Sequence, residues 1–212
     1  FMTDVLRIEE RDATAWVTLN RPDRLNALDD TLTTALRSYF ESLKRRSDVR
    51  VVVLQGAGRA FCAGLDLQAL TDPVTLGAEG MLRVQREIRD IMIAMRRCPQ
   101  PIVNVIQGAA SGGGMALALA SDIRLMTDDA RMNAAFIKVG LTGCDMGVSY
   151  FLPRMVGSSV AAEYLLTGRF ITAQKALALG LASHVGTLEA MQAEARSLVD
   201  DMLAASPLGL QF

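Results

Sequence analysis

Apolar and polar positions alternate through residues 5–20, VLRIEERDATAWVTLN, on either side of a charged turn, which is the pattern of a β-hairpin. The alternation stops at RPDRLNALDD (21–30). Apolar residues then recur at helical spacing through Leu32, Leu36, Phe40 and Leu43, so a helix is expected from Asp29 or Asp30, either of which can cap it, to about Arg46. RVVVLQGAG (50–58) reads as a buried strand ending in glycines, and Met81, Val84, Ile88, Ile91, Met92 and Met95 place one face of a second helix over 81–97 in the core. Between them, QALTDPVTLGAEG (68–80) mixes Gly, Pro and polar residues and is expected to be a mobile loop bordering a site. PIVNVIQG (101–108) is a short β-branched strand, and further helices are expected at 147–155, 158–166, 172–179 and 188–205. The order strand, turn, helix repeats from 51 to 123. Strands joined through helices pair in parallel, so the fold class is α/β or a spiral.

Composition narrows the partners. The chain has 212 residues, 50% of them hydrophobic, with a net charge of −1, enough for one sizeable core. Lys and Arg number 22 against 23 Asp and Glu, and the longest basic run is Lys44 to Arg46, so no nucleic acid partner is expected. The apolar runs are too short to span a bilayer and the N-terminal stretch lacks a signal-peptide core, so neither membrane nor export is expected. Three cysteines without metal-site spacing suit a reducing, cytoplasmic setting; Cys144 reads as an inert, buried thiol. The one histidine, His184, lies in LASHVG without a Ser-His-Asp cue and reads as structural, which argues against His-based chemistry and a multi-His metal centre.

The candidate chemistry lies in GAASGGGMALALASD (108–122). Glycine costs roughly 1 kcal/mol against alanine inside a helix, so three at its head imply a demand on the backbone. Strand, glycine turn and helix N-terminus leave unpaired N–H groups and the positive end of the helix dipole facing whatever lies above. The Lys-Ser/Thr of a phosphate loop and the Gly-x-Gly-x-x-Gly pattern are both absent. There remain an oxyanion hole and, more plainly, tight helix packing. A second turn, GAGRAFCAGLDLQAL (56–70), opens through Gly64. Neighbouring parallel strands would bring the free amides of both turns to one edge.

FCAGLDL, the strand leading into GAASGGGMALALASDIRL, NRPDRLNAL, and YLLTGRFITAQKALALGLASHV together resemble the crotonase (enoyl-CoA hydratase/isomerase) family in order and spacing over nearly the whole chain. The resemblance implies an α/β, crotonase-like spiral of repeated ββα units with peripheral helices, its core at 1–205 and the start of a C-terminal helical region at 206–212. It implies acyl-CoA thioester substrates as in fatty acid metabolism, no cofactor beyond the CoA of the substrate, no metal, and a homotrimer or dimer of trimers. Carried over by position, the backbone N–H groups of Leu65 and Gly113 resemble the two oxyanion donors. Ala63 resembles the carbonyl that meets the adenine amino group, and Arg24, Leu25 and Ala27 resemble the loop along CoA. Asp66 reads as a cap for a helix starting there.

Two departures matter. Where hydratases of this family carry glutamates, this chain has Ala116 and Phe136, which can only line an acyl pocket; two-glutamate hydration is therefore not expected. One acid remains nearby: Asp145, in GLTGCDMGVSYFLPR, is similar to the aspartate position of dienoyl-CoA isomerases, and is alternatively the N-cap of the helix near Gly147. Apolar neighbours such as Phe136 would raise its pKa. A lone carboxylate can relay a proton between two carbons of a held enolate, so isomerisation is favoured over hydration. The alternatives are a non-catalytic acyl-CoA binder and an acyl-CoA hydrolase or decarboxylase on the same fold.

Overall fold

The expected hairpin pairs β1 (Leu6–Arg11) with β2 (Thr14–Leu19) through Asp12 and Ala13, whose φ values of 49° and 59° give the two-residue turn that matches strand twist. This computed structural model describes residues 4–69 and 73–210. Past a 3-10 turn at Pro22–Arg24, α1 (Asp30–Leu43) begins at Asp29, whose carboxylate accepts the Leu32 N–H at 2.8 Å, and buries the expected stripe of Leu32, Leu36, Phe40 and Leu43. β3 (Val51–Gly56) follows, parallel to β2.

The mobile loop expected at 68–80 is corrected. α2 (Pro73–Arg97) starts inside it, and residues 70–72 of that segment lie outside the described residues. Its Pro and Gly were the misleading signals: Pro73 stands at the first helical position, where its missing N–H costs nothing, and Gly77 (φ 61°, ψ −178°) breaks the helix within its second turn.

The chain continues through β4 (Ile102–Ile106), β5 (Ala109–Ser111), α3 (Gly113–Ala120), β6 (Ile123–Thr127) and β7 (Arg131–Asn133). Two 3-10 turns, Ala135–Val139 and Asp145–Gly147, lead into α4 (Val148–Val156) and α5 (Ser158–Thr167). β8 (Ile171–Thr172), α6 (Ala173–Ala178), β9 (His184–Gly186), α7 (Leu188–Ala204) and a 3-10 turn at Pro207–Leu210 complete it. The large sheet has the order β1-β2-β3-β4-β6-β9 and is parallel after the hairpin. The small sheet, β5-β7-β8, is extended by a parallel bridge between Cys62 and Ala110. The middle turns of the chain, β4-β5-α3 and β6-β7 with the helices after them, each add one strand to each sheet before a helix, as in the expected spiral of ββα units.

The large sheet is covered on both faces. One packs on the main core with α1, α2 and α3; the other, with Val51, Val53, Val103 and Val105, packs on Met191, Ala195 and Val199 of α7. Burial on both sides is why β3 and β4 read as near-continuous apolar runs, interrupted in β4 by the buried Asn104. Among the described residues no helix is long and apolar enough to cross a membrane.

Candidate active site

The Cys62–Ala110 bridge sets the register of the site: three residues beyond each partner stand Leu65 and Gly113. The two turns touch. A Cβ on Gly64 (φ +90°) would lie 2.6 Å from the Ser111 carbonyl oxygen and 3.2 Å from the Gly113 nitrogen. Among the described residues neither the Leu65 N–H nor the Gly113 N–H has a hydrogen-bond acceptor, whereas their neighbours are engaged: Asp66 N–H donates to Leu28 C=O and Gly112 N–H to Asn133 C=O.

The three glycines answer to three constraints. Gly112 turns the chain with φ +52° under the Phe136 ring. Gly113 opens α3 against Leu28, whose Cδ1 would be 2.8 Å from an added Cβ, and Gly114 lies against the Cys62 carbonyl, 2.1 Å from where its Cβ would be. The obstacle is backbone at Gly114 and the Leu28 side chain at Gly113, while Gly112 is set by its positive φ. α3 then runs wholly buried, and its C-terminal carbonyls are met by the buried guanidinium of Arg124, which donates to Ala118 and Ser121 C=O and to Leu181 C=O.

Above the two free amides lies a cavity of about 80 Å³, walled by Leu65, Leu67, Phe136, Val139, Leu141 and Met146, with Ala63 and the glycines of both turns at its base. Phe136 lines it. Ala116 does not: it is fully buried one turn into α3, where the helix packs into the core. Asp145 is not in the lining either but precedes Met146, which is (φ +51°). Its role as N-cap of α4 is corrected, because Gly147 holds that position and the Asp145 carboxylate Oδ1 accepts the adjacent Met146 N–H at 2.9 Å. Among the described residues its Oδ2 is buried without a partner, and burial holds the carboxyl above its usual range, only partly offset by the Met146 N–H. Cys144 is likewise corrected: the thiol expected to be buried is exposed, because it lies on the loop before α4.

The proposed CoA positions lie on two segments, 24–27 and 63, joined by a hydrogen bond. Leu25, with a left-handed backbone, accepts the Ala63 N–H at 2.9 Å and lines an open cleft of about 560 Å³ with Arg59, Asp129 and Arg131. The Ala63 carbonyl accepts no hydrogen bond among the described residues. Arg24 reaches Gln68 Oε1 at 2.5 Å and Asp66 at 3.5 Å; Ala27 is buried, its carbonyl taken by Arg21. Asp66 caps the turn at 67–69, accepting the Gln68 and Ala69 N–H at 3.2 Å each. Burial pushes its carboxyl upward, but the Arg21 hydrogen bond, the Ala69 N–H and the charges of Arg24 and Arg21 together outweigh this and hold it below the usual range. Arg21 itself was missed in the sequence. It stands inside NRPDRLNAL, a segment read there only for its contacts along CoA.

Residues 9–212 match the family model described as enoyl-CoA hydratase/isomerase. A probable enoyl-CoA hydratase of Mycobacterium leprae is 41% identical over 190 residues, covering 86% of this chain and 64% of that protein. The (E)-benzylidenesuccinyl-CoA hydratase of Thauera aromatica is 36% identical over 209 residues, covering 96% of this chain and 78% of that one. The crystal structure of a putative enoyl-CoA hydratase from Streptomyces coelicolor A3(2) superposes with a TM-score of 0.90 at 37% identity, over 97% of this chain and 75% of that chain. The chain thus spans 64% of the length of the mycobacterial relatives named as probable enoyl-CoA hydratases that it matches over 188–190 residues.

Proposed function

The chain belongs to the enoyl-CoA hydratase/isomerase family, and from that premise we propose that it processes acyl-CoA thioesters by enolate chemistry, with Leu65 and Gly113 as the oxyanion donors and Asp145 as the group that moves protons. The observation that carries the reading is the pair of adjoining N–H groups left without acceptors beneath an apolar cavity. The thioester carbonyl oxygen takes both hydrogen bonds at the N-terminus of α3, where the dipole favours the charge that develops; one such donor is worth about 10²–10³ in kcat.

Asp145 supplies the proton transfer. Its ionised carboxylate takes a proton from one carbon, the electron pair moves into the enolate held by the two amides, and the carboxylic acid returns the proton to another carbon. The double bond shifts and no water is consumed. A raised pKa suits that task, since a base works best with a pKa near the operating pH. The CoA end lies along Arg24, Leu25, Ala27 and Ala63, where the cleft flanked by Arg59 and Arg131 suits its phosphates. The reaction needs no cofactor beyond the CoA of the substrate, and the assembly is a homotrimer or a dimer of trimers, which sedimentation velocity tests.

A second reading has its own support. Among the described residues no carboxylate lines the cavity, as expected of an acyl-CoA binder that lost its chemistry. The test is mass-spectrometric product analysis of the full-length protein in heavy-isotope water with saturated, 2-enoyl, 3-enoyl and dienoyl thioesters. Deuterium exchange or a shifted double bond that is lost in Asp145→Asn supports proton relay. Oxygen incorporation means hydration and overturns it, release of the free acid or of carbon dioxide means hydrolysis or decarboxylation, and tight binding without product favours the binder.

A further inference from the structure

We propose that Arg21 is a positioning residue for this reaction: its guanidinium clamps two segments of the chain together so that the Leu65 N–H is held at the station of the thioester oxygen. The proposal rests on the oxyanion reading of Leu65 and Gly113. Arg21 lies outside the cavity lining, and its side chain is 13% exposed. Its Nη2 is 3.0 Å from Oδ2 of both Asp29 and Asp66, and its Nη1 donates to the Ala27 carbonyl.

The two carboxylates mark the ends of a short parallel bridge. Leu28 N–H donates to Gly64 C=O at 2.7 Å and accepts Asp66 N–H on its own carbonyl at 3.0 Å. In a parallel pairing the residue between those two contacts, Leu65, has its own N–H and C=O turned to the opposite side. The bridge therefore aims the Leu65 amide away from residue 28. The Leu28 side chain meanwhile packs on Gly113, the other donor, at the contact already described. Segment 27–29 thus touches both donors, and Arg21 is the side chain that fastens it to the turn carrying Leu65.

Asp29 and Asp66 are held against one nitrogen. Without the Arg21 guanidinium, with only the longer 3.5 Å contact from the exposed Arg24 left to Asp66, they would face each other across the bridge as like charges with little solvent to screen them. The segments would part, and the Leu65 N–H would leave its station. A displacement near 1 Å in a catalytic group costs about 10²-fold. The loss falls on kcat, because the charge to be stabilised develops only in the transition state.

The experiment compares Arg21→Met, Arg21→Lys and Asp66→Asn with the full-length wild type, measuring kcat and KM on a short 2-enoyl-CoA or dienoyl-CoA that the wild type turns over. It also records the infrared carbonyl stretch of the bound ¹³C=O-labelled thioester. Folding is checked by circular dichroism. We expect Arg21→Met to lower kcat by about 10²-fold with KM within about threefold, and to lose most of the downshift of the carbonyl stretch that the wild type imposes. Arg21→Lys, which keeps the charge but not the planar fork, falls between the two. If Arg21→Met does not fold, Arg21→Lys and Asp66→Asn carry the same readouts, with an expected loss of about tenfold. Arg46→Met removes an arginine paired with Glu10 and Asp48 at the far end of α1; it lowers stability and leaves kcat and the carbonyl stretch alone. Folded Arg21 variants with wild-type kcat and downshift, or with an effect on KM alone, overturn the proposal. Failure of the reading beneath it looks different: the bound thioester shows no downshift in the wild type, or the same downshift in Leu65→Pro, which lacks the N–H.

Discussion

Gly114→Ala sets two effects of opposite sign against each other. Alanine is favoured over glycine inside a helix by about 1 kcal/mol, and Gly114 has no positive φ to forbid it. Against that stands the Cys62 carbonyl: the new Cβ would be 2.1 Å from its oxygen and 2.9 Å from its carbon, where contacts of about 3.3 Å or more are normal. The obstacle is backbone, fixed by hydrogen bonds from Ser111 N–H to that oxygen at 3.0 Å and from Cys62 N–H to Ala109 C=O at 3.0 Å. The helix start must therefore shift by about 1 Å relative to the Cys62–Leu65 turn, at the upper end of the 1–3 kcal/mol range for overpacking. About 3 against about 1 leaves a net loss of about 2 kcal/mol. The same shift separates Gly113 from Leu65, so kcat falls by about 10²-fold. Urea denaturation should show a lower midpoint at an unchanged slope, and thioester turnover should fall in parallel. A variant as stable as the wild type with full turnover would refute the argument that backbone contact, rather than composition, requires glycine here.

If Asp145 has the proposed role, Asp145→Asn should abolish proton transfer, and it should stabilise the fold at neutral pH. With a carboxyl pKa raised by burial, the folded protein binds more protons than the unfolded chain between the two pKa values. Wild-type stability falls as pH rises through that window, so urea titrations should show the advantage of the variant at pH 7 and its closure below the unfolded value. Arg124→Met strips donors from the C-terminal carbonyls of α3 and should cost about 2–3 kcal/mol by urea denaturation, with Arg124→Lys recovering only part. In native protein, iodoacetamide should label Cys144 first by mass spectrometry, because burial pushes the Cys62 and Cys98 thiols up to about 12 and about 11. The double variant Ala116→Glu/Phe136→Glu should lose stability without gaining hydration of a 2-enoyl thioester; water addition at wild-type stability would refute the packing argument below.

The spiral was legible because its signals are local. The hairpin alternation, the stripe of α1 and the strand-turn-helix order each follow from side-chain period, and all reappear at nearly the expected residues. The glycine triplet pointed to a crowded backbone, but not to which atoms crowd it. The Cys62 carbonyl and Leu28, which crowd Gly114 and Gly113, come from two other segments, which the Cys62–Ala110 and Leu28–Leu65 bridges tie to this one and to each other. The Arg21 clamp was hidden for the same reason: its partners Asp29 and Asp66 meet only once the bridge at Leu28 forms. Where local signals misled, as at Pro73 and Cys144, residue type was read without its place in a helix or loop.

The two departures from the hydratase pattern are set in the packing and not merely in the sequence. Ala116 is fully buried in a helix whose every residue is buried, so a glutamate there must displace core side chains and lose solvent from its carboxyl. Phe136 is 4% exposed, and its ring forms the cavity wall over Gly112, the residue that turns the chain into α3. Replacing that ring with a carboxylate opens the wall on the turn that presents the Gly113 amide. Both acids would return at the expense of packing, one in the core and one in the cavity wall. On the proposed reading, a site with two amide donors, apolar walls and the Asp145 carboxylate at its margin is suited to moving a proton between carbons and poorly suited to placing a water.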